Sequence, residues 1–196
     1  MGMTGGLYRA SVDEIQKLLD HPASIEQFVE ASAWAPPVRQ VRPKGILGWL
    51  LKLSPITIEE VDPDAVPPPG YDPANDRPHC DLEGVWDGLH FLFTGTAWEG
   101  DEPACYLLRG GAEIGEPDEL GYSVLQALSP AKVQQFAAFL RGLSHQDLQR
   151  RYNPARMTEL GVSHCPMDHL LAAFDELRAF VDATVEAKAG AVVYVT

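Results

Sequence analysis

The sequence predicts an α+β fold, with one mainly helical domain packed on a small sheet that includes strands from both ends of the chain. Apolar residues recur at helical spacing through most of the chain, and short apolar strands lie at both termini. Helices and strands do not alternate as they do in βαβ units. With 196 residues, of which 45% are hydrophobic, the chain can build one core. We therefore expect a single domain over residues 1–196.

In the first half, residues 3–9 are predicted as a strand. Ser11 and Glu14 form a capping box that begins the first helix. A short apolar helix is predicted at residues 45–53. From about residue 59 to 80 the chain is rich in proline and poor in apolar side chains, which predicts a surface loop within the domain.

In the second half, helices are predicted between short strands. The central helix is expected over residues 81–96, and a strand over residues 123–128. Ser129 begins the next helix, and a long helix follows at residues 168–188. Its spacing predicts four core residues, Leu170, Phe174, Leu177 and Val181. The valine-rich end of the chain is predicted as the closing strand.

The charge of the chain excludes one class of partner. Its 15 Lys and Arg residues face 28 Asp and Glu residues, a net charge of −13. A phosphate backbone is repelled by such a field, so we expect no nucleic-acid partner. A basic protein or a cationic small molecule is compatible with it. No apolar run reaches the roughly 20 residues of a membrane span, and three scattered cysteines with no secretory signal predict a cytoplasmic protein.

The central helix carries the candidate site. Trp86, His90 and Thr94 follow at intervals of four residues and share one stripe of the helix, with Asp87 three residues before His90. An indole beside an ionisable imidazole is typical of a small-ligand pocket, and we add Tyr122 as a further candidate lining residue. The competing interpretation, which we favour for His90, is a neutral core histidine with both ring nitrogens hydrogen-bonded.

An enzyme is the alternative function. In that case His90 acts as a general acid–base and a carboxylate orients it, either Asp87 or one of Asp118 and Glu119. Sequence spacing alone does not supply a nucleophile or a substrate position. The sequence favours a protein without catalysis.

No motif predicts a cofactor or a metal. The glycines near residues 95 and 110 do not form a phosphate-binding loop or a dinucleotide fingerprint, and no nucleophile elbow is present. Zinc sites are typically announced by paired spacings such as Cys-x-x-Cys, which are missing. The residues from which a metal site would have to be built lack that pairing: His79, Cys80, His164, Cys165 and His169. We predict no metal and no cofactor.

Several segments together resemble a known family. The chain begins Met-Gly-Met, residues 86–95 read Trp-x-x-Leu-His-x-x-x-Thr-Gly, and residues 110–116 read Gly-Gly-x-x-Ile-Gly-Glu. In these it resembles the YfbM-like family of bacterial proteins, domain of unknown function 1877. The resemblance implies an α+β domain and no reaction or cofactor. Glu83 and Gly84 depart from the family pattern of aspartate and lysine, which weakens any anion site at that turn.

The sequence as a whole favours a protein of unknown function that acts by binding. We expect a non-catalytic cytoplasmic domain with a small-ligand pocket near Trp86 and His90, or a protein-interaction domain. In the second form, an immunity or regulatory protein, its acidic surface would meet a basic partner.

Overall fold

The computed structural model describes residues 3–30, 38–41, 58–61, 77–163 and 165–196. Within them it has seven strands: β1 (Gly5–Ala10), β2 (Val38–Val41), β3 (Ile58–Val61), β4 (His79–Asp81), β5 (Ala112–Glu113), β6 (Val124–Leu128) and β7 (Gly190–Val195). The α-helices of the same residues are α1 (Val12–Asp20), α2 (Ile25–Glu30), α3 (Trp86–Thr94), α4 (Pro130–Arg141), α5 (His145–Arg151), α6 (Pro154–Glu159) and α7 (Met167–Glu186).

Contacts divide the chain into two compact units. The first comprises residues 1–26 and 77–196, and the second comprises residues 27–76. In the second unit β2 and β3 pair as an antiparallel hairpin. The predicted helix at residues 45–53 lies outside the described residues.

The first unit is built on a five-stranded antiparallel sheet with the order β4-β1-β7-β6-β5. The two terminal strands are neighbours, with Leu7 opposite Val193 and Gly5 opposite Val195. The predicted fold class, helices on a small sheet that contains both termini, is confirmed.

Capping side chains begin four helices of the first unit, α1, α4, α5 and α6. At α1 the Ser11 hydroxyl accepts from the Glu14 amide, and the Glu14 carboxylate accepts from the Ser11 amide at 2.8 Å, as the capping box predicts. Ser144 and Asp147 repeat the exchange at α5. Each such cap is worth about 1 kcal/mol, since it satisfies amides that the helix leaves unpaired.

The main core lies between the sheet and the helices α3 to α7. Aromatic rings meet edge-on at its centre, where Phe93 of α3 contacts Phe136, Phe139 and Phe174 with ring centroids 5.6–6.4 Å apart. The long helix α7 buries the four residues that its spacing predicts. This packing leaves α3 with buried residues at every position from Trp86 to Phe93.

The prediction of a helix over residues 81–96 is wrong at both ends. Asp81 belongs to β4, where it pairs with Gly6 of β1. Its carboxylate accepts the amide of Glu83 at 2.8 Å, and such a local bond favours a turn over a helix. A 3-10 turn follows at Glu83–Val85, and α3 ends at Gly95, whose φ of 78° cannot continue a helix.

The proline-rich segment begins and ends in strands. Its first residues lie in β3 and its last residues lie in β4. The residues between them, 62–76, are outside the described part of the chain. None of the described helices combines the length and the apolar composition that crossing a bilayer requires.

Candidate ligand-binding cavity

A cavity of about 250 Å³ lies at the N-terminal end of α3. Its walls come from the N-terminal segment, the turn before α3, the loop after α3 and the loop after α6. The lining residues are Met3, Gly84, Trp86, Asp87, Ala97, Trp98, Gly161, Val162 and Ser163. Its volume is that of about eight water molecules at about 30 Å³ each, so it suits a small ligand or a single inserted side chain.

Two tryptophans form the aromatic part of this cavity. Their ring centroids are 5.7 Å apart and their planes are inclined at 53°. Trp86 is 4% exposed and packs against β1, where a Cβ added at Gly5 would lie 2.9 Å from its Cγ. Its indole Nε1 donates to the Met3 carbonyl at 3.4 Å. Trp98 is 48% exposed, so one indole is built into the wall and the other stands at the rim.

Asp87 supplies the charge of the cavity. It is 8% exposed, its Oδ1 accepts from the Gly88 amide at 2.6 Å, and its Oδ2 accepts from the Ser163 amide at 2.7 Å. The bond from Ser163 holds the loop after α6 against the start of α3. A carboxylate has about four acceptor positions, so both oxygens keep capacity for a further donor. Among the described residues that line the cavity, Asp87 is the one with a charge.

His90 lies one turn further along α3, fully buried and outside the cavity lining. Its Nε2 is 2.9 Å from the Glu99 carbonyl, and because a carbonyl only accepts, this nitrogen carries the proton. Burial lowers the pKa of His90 to about 4, and the nearby charge of Arg109 acts in the same direction. The ring is therefore neutral at pH 7. Its Nδ1 has no hydrogen-bond partner among the described residues, so the prediction that both ring nitrogens are hydrogen-bonded is wrong, although the ring is buried as predicted.

The bond from His90 holds the loop that carries Trp98. The Thr96 hydroxyl donates to the same Glu99 carbonyl at 2.5 Å, so two donors converge on one residue of this loop. Trp98 lies between Thr96 and Glu99, so these two bonds fix the segment that carries it.

Two predicted site residues lie outside the lining. The Thr94 hydroxyl donates to the His90 carbonyl at 2.9 Å and accepts from the Thr96 amide at 3.2 Å, which ties the helix end to the loop. Tyr122 packs edge-on against Tyr194 of β7, with centroids 6.5 Å apart, and burial raises its pKa. The structure thus brings two of the five candidates, Trp86 and Asp87, to one cavity.

Sequence reasoning missed Trp98 and Ser163. A signal for Trp98 was available in the sequence. The residues next to it in the chain are small or polar, so a tryptophan at this position is unusual for a loop. Ser163 contributes through its backbone amide, 76 residues away from Asp87. No sequence pattern announces a contact of that kind.

The cysteines and the metal-ligating residue types do not form a second site in the described part of the chain. Cys80, Cys105 and Cys165 are buried and free, and burial raises the pKa of the Cys80 thiol to about 12. The described residues contain no group of three His, Cys, Asp or Glu residues able to hold a metal ion. His164 is outside the described residues, and the absence of a metal stays a prediction.

Comparisons with known proteins identify the family and the fold. The sequence model of a family described as a domain of unknown function, DUF1877, matches residues 1–194. A solved structure described as a protein of unknown function, YfbM from Escherichia coli, superposes with a TM-score of 0.59 at 12% identity, covering 98% of this chain and 99% of that chain. At this identity the likeness concerns the fold alone. No curated protein matches the sequence. The chain belongs to the DUF1877 family, which has no assigned function.

Proposed function

We propose that this protein is a non-catalytic binding domain whose ligand site is the cavity at Trp86 and Trp98. The observation that carries the proposal is the exposed Trp98 at the rim of a cavity whose wall is the buried Trp86. Binding sites are concave and largely apolar, with few polar groups to orient a ligand. An exposed indole beside such a cavity offers a ligand a large apolar area at a small cost in side-chain entropy.

The position of His90 favours binding over catalysis. A general acid–base must come within hydrogen-bond reach of its substrate. His90 is fully buried, and its Nε2 already donates to the Glu99 carbonyl. The charges that act on it are those of Arg109 and Asp87, while Asp118 and Glu119 lie exposed in a separate turn. The Nδ1 of His90 has no partner among the described residues, but it is enclosed and lies outside the cavity lining, so the geometry supports binding rather than acid–base catalysis at His90.

We extend the proposal to the setting of the protein. A bacterial cytoplasmic domain is supported by three reduced, buried cysteines and by the fold shared with the Escherichia coli protein. The net charge of −13 supports a small molecule or a basic protein as partner and disfavours nucleic acid. The family match over residues 1–194 supports one functional domain rather than two.

The proposal is tested by two-dimensional NMR of the tryptophan indole N–H groups. The protein is titrated with small neutral, cationic and anionic compounds of about five heavy atoms. We expect at least one compound to give saturable shifts at the Trp86 and Trp98 indoles. Trp98→Ala should weaken that binding, whereas Val12→Ala should not, although Val12 on α1 is also exposed, at 56%. The absence of a saturable shift at either indole with every compound would overturn the proposal.

A further inference from the structure

We infer that the ligand is an organic cation that carries an alkylammonium group with N–H donors. The inference rests on the proposed function, because it concerns the chemical class of the ligand in the same cavity. Three features support it, namely the aromatic corner formed by Trp86 and Trp98, the carboxylate of Asp87, and the size of the cavity.

The first feature is the pair of indoles. The face of an aromatic ring attracts a cation through its quadrupole, and among side chains tryptophan does so most strongly. Trp86 and Trp98 contact each other at 5.7 Å, so a ligand cannot lie between them. It must instead lie against the faces that they turn toward the cavity. These ring faces can bind apolar groups as well as cations. The preference for a cation therefore depends on the second feature.

The second feature is the charge of Asp87. This carboxylate is more than nine-tenths buried, lines the cavity and forms no ion pair with any described residue. Its two hydrogen-bond donors, the amides of Gly88 and Ser163, are neutral. A buried charge without a counter-charge costs free energy, and a cation in the cavity would reduce that cost. An anion would increase it, and the described lining holds no lysine, arginine or histidine to receive one.

The third feature is the size of the cavity, considered together with the N–H donors that a ligand can offer to Asp87. About 250 Å³ accommodates a short alkyl chain with one polar head. The acceptor positions left on the Asp87 carboxylate favour an ammonium that carries hydrogens, because a quaternary ammonium has none to donate. A free aliphatic amine and the side chain of a lysine in a partner protein share this chemistry.

The test compares three probes of nearly equal size: butylammonium, the neutral 1-butanol and the anionic butyrate. Affinities are measured from the Trp86 and Trp98 indole shifts in the full-length protein at pH 7. We expect butylammonium to bind at least about fivefold more tightly than 1-butanol, and butyrate to bind most weakly. If 1-butanol binds as tightly as butylammonium, the inference is overturned while the cavity stands as a binding site. If no probe binds, the proposed function itself fails.

Two variants separate the sources of the preference. Asp87→Asn should bring the affinity for butylammonium close to that for 1-butanol. The asparagine side chain has one oxygen that accepts and one NH2 group that donates. This variant therefore loses one of the two hydrogen bonds from backbone amides, and its folding must be checked. Trp98→Leu keeps an apolar rim without a quadrupole and should lower the butylammonium preference about threefold with the fold intact. A preference unchanged in Trp98→Leu and in folded Asp87→Asn would overturn the inference.

A final comparison identifies the source of the ammonium group. Lysine blocked at both its α-amino and carboxyl groups is titrated beside butylammonium. Similar affinities support the side chain of a partner protein, and binding of butylammonium alone supports a free amine. Both results are consistent with the inferred class.

Discussion

The start and the middle of α3 differ in what surrounds their polar side chains. At the N-terminal end, Trp86 and Asp87 line a cavity whose other walls are loops. One turn later, His90 is enclosed by the core and bonded to the loop after the helix. Both positions are buried, so burial alone does not distinguish a site from a core. The difference is that Asp87 lines a cavity, whereas His90 holds a loop.

The largest expected effect distinguishes the two tryptophans of the cavity. Trp86→Ala should lower the free energy of unfolding by about 3–5 kcal/mol, because it removes a large buried ring. Trp98→Ala should lower it by less than about 1 kcal/mol, because nearly half of that side chain is exposed. Urea unfolding of both variants measures the difference. Equal losses would show that the two rings do not play separate roles, as wall and rim.

The next effect tests the buried His90 in the middle of α3 through the pH dependence of stability. His90 has a pKa of about 4 in the folded state, against its usual value of 6.5. Between these values the unfolded chain binds a proton that the folded chain does not, so stability must fall as the pH is lowered from 6.5 to 4. The loss from this group is about 3 kcal/mol.

His90→Gln serves as the control for that titration. Its amide can still donate to the Glu99 carbonyl, but it does not titrate. The many carboxylates of the chain change equally in both proteins, so the variant should lose less stability than the wild type over the same pH range. Parallel pH profiles would contradict a buried, neutral His90.

The smallest effect tests how tightly the cavity wall is held. Gly5→Ala should destabilise the protein by about 1–3 kcal/mol, because the new Cβ would lie 2.9 Å from Cγ of the buried Trp86 ring. Gly84→Ala is the matched control on the same wall, where the nearest atom is the Met3 carbonyl oxygen at 4.0 Å. It should change stability by less than about 0.5 kcal/mol. Thermal unfolding compares the two, and similar losses would show that the Trp86 ring is free to move.

Local patterns in the sequence predicted much of the fold. The capping box at Ser11 and the spacing of apolar residues in α7 depend on residues close in sequence, and both predictions are confirmed. The predicted start of the central helix at residue 81 is wrong, because Asp81 pairs with Gly6, which is 75 residues away. Strand pairing of that range overrides a local helical pattern.

The candidate site was less predictable than the fold. The helical spacing of Trp86, His90 and Thr94 could not show which of them meets a cavity. The cavity is completed by two loops, and one of them is held by the bond between Asp87 and the Ser163 amide. Because its walls come from four separate parts of the chain, the site depends on tertiary structure.

The most direct test is one titration that observes the cavity and the buried His90 together. Butylammonium is added to ¹⁵N-labelled protein at pH 7, and the indole signals of Trp86 and Trp98 are followed together with the ring nitrogens of His90. We expect saturable shifts at the two indoles and none beyond a small secondary change at His90. A shift centred on the His90 ring, with both indoles unchanged, would contradict it.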